Sequence, residues 1–316
     1  MPCLFLTELM GGRKMDRVDS LDIGTISVRS LSTKSIDAAT AGHFDLGFVF
    51  PSWDTRCTSF TESKSLCLDL AVEVAYENKG VCRRFTRNRQ IVLNGLNALS
   101  SNVLRIDASL ENMQLCSQRI FEAIEKAANL IERPVKVFFD MSTASRYYIL
   151  STFAVALRSG LVSDFVFFYP EGEYLEAGAD QSERGIFSGG KWETVAVPGL
   201  NGEFFTGKPY SLLVSIGFEG AKTLRVVNKL EPSQVAVLIP SPGFSEEYAK
   251  KTIEQNQRLM EDFVRTEEDI ICAEAGNLVD ALRKMRASSL GPTEQQNLVF
   301  LCCGTKPHSL ALGIRA

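Results

Sequence analysis

Five short turns, each following an apolar run and preceding an amphipathic one, carry the residues best suited to hold a small ligand. They are Pro51-Ser-Trp-Asp-Thr-Arg56, Met141-Ser-Thr-Ala-Ser-Arg146, Ile216-Gly-Phe-Glu-Gly220, Pro240-Ser-Pro-Gly-Phe-Ser245 and Cys303-Gly-Thr-Lys-Pro-His308. Small and hydroxylated residues at such turns let the backbone approach a ligand, and free N–H groups at a helix start attract anions. Ser142, Thr143 and Ser145 supply hydroxyls, and Arg146 a cation, where the helix macrodipole is already positive. Gly217 and Gly220 flank Glu219, which repels phosphate and suits a ribose or base N–H. Gly304, Thr305 and Lys306 form a second cationic turn. Trp53 and Arg56 offer an aromatic face and a guanidinium fork, and Ser241 and Gly243 complete the set. Plain structural roles compete at every position: a serine as helix cap, glycines as turn formers, Trp53 as a lid over the core.

For catalysis, the carboxylates that stand at strand ends are Asp140 and Glu219, either one as general base or metal ligand, and Asp140 could hold a magnesium ion or a ribose hydroxyl. Only His43 and His308 occur, so no multi-histidine metal site can be built and no Ser/His/Asp or Cys/His set stands out. Neither a G-x-G-x-x-G dinucleotide fingerprint nor a G-x-x-x-x-G-K-[ST] phosphate loop is present, which removes the main grounds for a nicotinamide oxidoreductase or a P-loop NTPase. No resident cofactor and no metal are expected, apart from magnesium if the chain is an enzyme.

The elements that position these turns alternate strand and helix. Residues 45–52 read as a first buried strand. Residues 66–76, which alternate apolar and polar, read as an edge or antiparallel strand. Helices are expected over 87–99, 111–131 and 146–159, and strands over 103–107, 135–140 and 164–169. Glycines crowd residues 171–208, with an added strand expected at 192–197. Beyond it the rhythm resumes, with strands at 211–216, 234–239, 269–273 and 298–303. Helices there fall at 219–230, 245–263, 277–287 and from Pro307 on. The first 40 residues show no clear period. The chain therefore reads as an α/β protein of Rossmann-like type, a mostly parallel sheet flanked by helices, arranged in one or two lobes: an N-terminal extension over 1–40, a first lobe over 41–190 and a second over 191–316.

Composition narrows the partners. The 34 basic and 38 acidic residues leave a net charge of −4, with no basic block dense enough for duplex DNA as main partner. The eight cysteines lack a C-x-x-C pair, and several lie in apolar runs, as reduced cytoplasmic thiols do. No apolar run reaches the roughly 20 residues of a membrane span, and the opening segment lacks the basic start of a signal peptide.

The segment Leu298-Val-Phe-Leu-Cys-Cys-Gly-Thr-Lys-Pro-His308 resembles the strand and G-T-K-P turn near the end of CARF domains, Rossmann-like sensors of cyclic oligonucleotides in prokaryotic defence. Gly304, Thr305 and Lys306 match; Cys303 stands where the usual pattern has a further glycine. The resemblance covers about ten residues. It implies a homodimer with its ligand across the two-fold axis at the strand ends, controlling an effector protein. The expectation is a cytoplasmic sensor of a nucleotide or other phosphorylated small molecule in antiviral defence or signalling. A nucleotide-processing hydrolase or transferase and a non-catalytic protein-interaction adaptor are the alternatives on the same fold.

Overall fold

The computed structural model describes residues 3–9, 16–76, 83–109, 111–172, 194–202, 205–288 and 296–316. The chain divides into two compact units, Met1–Gly189 and Gly190–Ala316.

The first unit contains strands β1 (Cys3–Leu9), β2 (Arg17–Ile23), β3 (Ile26–Thr33), β4 (Gly42–Val49), β5 (Leu66–Tyr76), β6 (Val103–Ala108), β7 (Val135–Asp140) and β8 (Val162–Pro170). Its helices are α1 (Ile36–Thr40), α2 (Arg83–Leu99), α3 (Met113–Ile131) and α4 (Arg146–Ser159), with a 3-10 turn at Thr55–Glu62. One eight-stranded sheet runs in the order β2-β3-β1-β8-β7-β4-β5-β6. Every neighbouring pair is parallel except β2 with β3. From β4 onward the chain therefore builds the doubly wound order in which the third, second and first strands are followed by the fourth and fifth, and its direction of growth reverses between β4 and β7.

The reason β7 is central lies in its sequence, VKVFFD, which has apolar residues for both faces. On one face Phe138 packs against Phe44 and Phe168, with ring centroids 5.5 and 5.9 Å apart. On the other Phe139 meets Phe48, Phe50, Phe165 and Phe167 at 5.1–5.9 Å. Gly47, beside Phe138 in register, leaves room for Leu68: a Cβ there would lie 2.6 Å from Leu68 Cδ1. At the opposite end of β4, buried Asp45 accepts two hydrogen bonds from the Arg133 guanidinium and one from Lys136 N–H. Burial alone would raise the Asp45 pKa, but those hydrogen bonds and the Arg133 charge outweigh it and hold the carboxyl below its ordinary value.

The second unit is a smaller parallel sheet of β9 (Tyr210–Ser215), β10 (Gln234–Pro240), β11 (Ile270–Ala273) and β12 (Asn297–Cys302), ordered β11-β10-β9-β12. Helices α5 (Gly220–Leu230), α6 (Glu246–Gln255), α7 (Gln257–Phe263), α8 (Leu278–Ala287) and α9 (Lys306–Arg315) connect or follow these strands. Here the order reverses between β9 and β12. The Rossmann-like α/β class is thus present in both units.

Several expectations need correction. Residues 1–40 are not an extension: β1 lies inside the first sheet, between β3 and β8, and β2 and β3 form a hairpin beside it. Their mixed composition hid them, since β2 keeps an exposed face. Strand β5 is neither antiparallel nor at an edge; it runs parallel between β4 and β6. Its polar Glu73 is buried because Arg89 of α2 binds it through two hydrogen bonds of 2.6 and 3.1 Å. The helix expected over 245–263 is broken at Asn256, whose side-chain amide donates to the carbonyls of Gly217 and Thr252. Of the strand expected at 192–197, residues 194–197 are not extended into a sheet and the rest lie outside the described residues. Helix α2 begins four residues earlier than its apolar stripe suggests.

Replacing Gly47 by alanine is expected to cost about 1–3 kcal/mol through overpacking against Leu68. In chemical denaturation, the Gly47→Ala/Leu68→Ala pair should lose less than the sum of the two single variants.

Candidate functional site

In a sheet of this order, ligands bind beyond the carboxyl ends of the two strands where the order reverses. In the first unit those ends are the β4 turn, starting at Phe50, and the β7 turn, starting at Met141. The Thr143 hydroxyl donates to the Phe50 carbonyl, so the two turns are tied directly across the reversal point. Buried Asp140 holds its own turn by accepting the Ser142 N–H at 2.9 Å. Ser145 caps α4 by accepting Tyr148 N–H, and its own N–H donates 2.7 Å to the Tyr76 hydroxyl at the end of β5. Burial pushes that hydroxyl's pKa far up, so Tyr76 remains a neutral donor and acceptor.

The β4 turn is gripped from the other side by α2. Buried Asn88 donates from its side-chain amide to both the Ser52 and Trp53 carbonyls, each at 3.0 Å. This leaves the Trp53 ring 41% exposed, so it is not a core lid. Arg56 is engaged by Asp54 through hydrogen bonds of 3.0 and 2.7 Å and stands near the Tyr169 ring, so its guanidinium serves the turn before any ligand. Cys57, close behind, is no nucleophile: burial pushes its thiol up to about 12.

The helix starts differ in charge. Helices α6 and α8 carry Glu246, Glu247 and Asp280 in their first turns, as favourable dipole interaction requires. Helices α2 and α4 have no acid there and open on Arg83 and Arg146. Both begin at the carboxyl edge of the first sheet, flanking the β4 and β7 turns.

In the second unit the β9 and β12 turns are in backbone contact. A Cβ on Gly217 would lie 2.9 Å from the Cys303 carbonyl oxygen, and one on Gly304 would lie 2.9 Å from that of Ile216. Gly304 N–H donates to the Ser215 hydroxyl at 3.0 Å. Gly220 is forced by close packing, since a Cβ there would fall 1.8 Å from the Gln255 carbonyl oxygen. Glu219 pairs with Lys222 at 2.7 Å. Thr305 caps α9 by accepting His308 N–H and donates its hydroxyl to the Ala275 carbonyl at 2.9 Å. Lys306 is the first residue of α9, ahead of Pro307. Gly243 packs against the start of α6, where its Cβ would lie 2.8 Å from the Ser245 carbonyl oxygen. Ser241 N–H donates to the carbonyls of Ile239 and Ala273.

His308 is fully buried, with Nε2 3.1 Å from the Glu274 carbonyl oxygen. Burial lowers its pKa to about 4, which fits a neutral structural imidazole rather than an exposed acid or base. Among the described residues no cluster of three or more acidic, cysteine or histidine side chains is arranged to hold a metal. Cys57, Cys67, Cys116 and Cys272 are free thiols, and no helix among the described residues is long and apolar enough to cross a membrane.

No protein family, characterised protein or solved structure matches the chain. The functional reading rests on the geometry. The sequence had singled out the turns; it missed Asn88 and Tyr76, which hold them, because a tie between distant segments leaves no local pattern.

The pH dependence of stability follows from His308. Its folded pKa of about 4 lies below the ordinary value of about 6.5. The unfolded chain therefore binds the extra proton first, and stability is complete above pH 6.5 and lost as pH falls toward 4. A His308→Gln variant should show a flatter decline over that window in urea melts at stepped pH.

Proposed function

We propose that the chain is a binding protein for a nucleotide or another phosphorylated small molecule, seated at the β4/β7 reversal of the first unit. The observation that carries this is the charge of the helix start at the β7 turn: α4 opens on Arg146 with no carboxylate in its first turn. An anion bound there would meet the positive end of the α4 macrodipole and the Arg146 guanidinium together. Ser142, Thr143 and Ser145 belong to the turn that leads into α4, and Trp53, which is exposed, supplies a surface on which a base can stack.

Binding is favoured over turnover by how the two strand-end carboxylates are used. Asp140 is buried and accepts a hydrogen bond from its own turn, and Glu219 pairs with Lys222. A sensing role, in defence or signalling, is what the resemblance of residues 298–308 to CARF domains adds, with a homodimer or an effector protein as partner. In the second unit Gly304 and Thr305 serve backbone packing and helix capping, so the proposal gives the phosphate to Arg146 rather than to Lys306. The free thiols of Cys57, Cys67, Cys116 and Cys272 favour a reducing, cytoplasmic setting.

The test is a panel of AMP, ATP, ribose 5-phosphate, inorganic phosphate and adenosine, read by melting shift and by Trp53 fluorescence. Phosphorylated members should stabilise the fold, since binding only to the native state raises the melting point. Arg146→Ala should weaken that binding by about tenfold or more, the scale of a charge-assisted hydrogen bond. Trp53→Phe should remove the fluorescence response to AMP and ATP. No shift with any phosphorylated member would overturn the proposal.

A further inference from the structure

Helix α2 carries four arginines, Arg83, Arg84, Arg87 and Arg89, and no carboxylate along its 17 residues. Arg89 is committed to Glu73. The other three make no hydrogen bond or ion pair with any described residue, although the chain as a whole is net negative. Three guanidinium groups within five residues, with no carboxylate partner among the described residues, repel one another and the helix dipole. Two of them border a feature of the surface: Arg83 and Arg87, with Thr86, Gln90 and Ile91, line an open, shallow groove.

The position of this cluster follows from how α2 is anchored. Asn88, Val92 and Leu96 form its buried stripe, and Gly95 lets it close onto the 3-10 turn, where a Cβ would lie 2.4 Å from Thr61 Cγ2. Asn88 holds the Ser52 and Trp53 carbonyls. Arg84 lies four residues before Asn88 on the same stripe, so it stands one turn further out than the β4 turn, beyond the strand ends. Arg83 and Arg87, themselves four apart and so neighbours on one helix face, both line the groove.

We infer that these arginines form a second phosphate subsite, so that the ligand of the first unit carries more than one phosphoryl group, as a nucleoside di- or triphosphate or a short oligonucleotide does. The inference deepens the reading of the β4/β7 crevice and rests on it for the base-binding part. A ligand spanning both subsites would place one phosphate at the start of α4, its base against Trp53 and its further phosphates along Arg84, Arg83 and Arg87.

The experiment uses inorganic tripolyphosphate, which has no base, beside ATP and AMP, with dissociation constants measured calorimetrically on the full chain. Wild type should bind tripolyphosphate, and binding should weaken several-fold between about 50 and 300 mM salt as the charges are screened. Arg83→Ala/Arg87→Ala should weaken tripolyphosphate and ATP by about tenfold or more while leaving AMP within about twofold. Arg83→Lys/Arg87→Lys should recover part of the loss, which separates charge from misfolding; equal melting points without ligand check the same point. If wild type fails to bind tripolyphosphate at low salt, or the double alanine variant binds it as wild type does, the second subsite is wrong whatever AMP shows. If tripolyphosphate binding depends on these arginines but AMP and ATP leave Trp53 unaffected, the subsite stands and the crevice reading fails.

Discussion

The burial of β7 on both faces is the constraint from which the first unit's candidate site follows. Phe138 and Phe139 point to opposite sides of the sheet, and each is surrounded by aromatic rings from β4, β8 or the β4 turn. A strand so apolar on both sides is stable only in the middle of a parallel sheet with helices above and below. Once β7 is seated beside β4, the helices that follow β4's neighbour and β7 itself must start on the same edge. The crevice is then a product of connectivity, and the polar residues at its rim need only be small enough to let the turns approach.

The two units solve the same geometric problem in different ways. In the second, glycines at 217 and 304 bring two turns into backbone contact, and the hydroxyls of Ser215 and Thr305 are used in holding them there. In the first, a single side chain, Thr143, bridges the turns. Asn88 and Tyr76 then secure the flanks from neighbouring elements. Bridging by side chains keeps the backbones further apart than glycine contact does.

Much of this was legible in the sequence because parallel strands buried on both faces read as unbroken apolar runs. VKVFFD at 135–140 and QVAVLIP at 234–240 are examples, and each is followed by a turn of small residues. The first 40 residues were not legible for the opposite reason. Strand β2 exposes one face, and β1 and β3 owe their place to β8, more than 100 residues away. Strand β5 misled because its first half alternates with exposed Cys67 and Asp69, whereas its second half is buried around the Glu73–Arg89 pair. Periodicity records exposure, not which strands lie on either side. At the candidate site, the turn residues were visible from their types, but Arg56 looked available because its bond to Asp54, two residues back, requires a fold of the turn that spacing alone does not specify.

The place of β1 has a consequence for how the protein is made. One of the strand's two neighbours, β8, ends at Pro170 and is synthesised well after it. Throughout that interval β1 has at most β3 to pair with, and one row of its backbone N–H and C=O groups stays open to any extended segment nearby. The hairpin of β2 and β3 is local and can form early, while the β4–β7 core assembles beside it as a separate nucleus. Joining the two is the step with the longest loop to close, so interference with nascent chains, by a chaperone or by another copy, would act at that seam first.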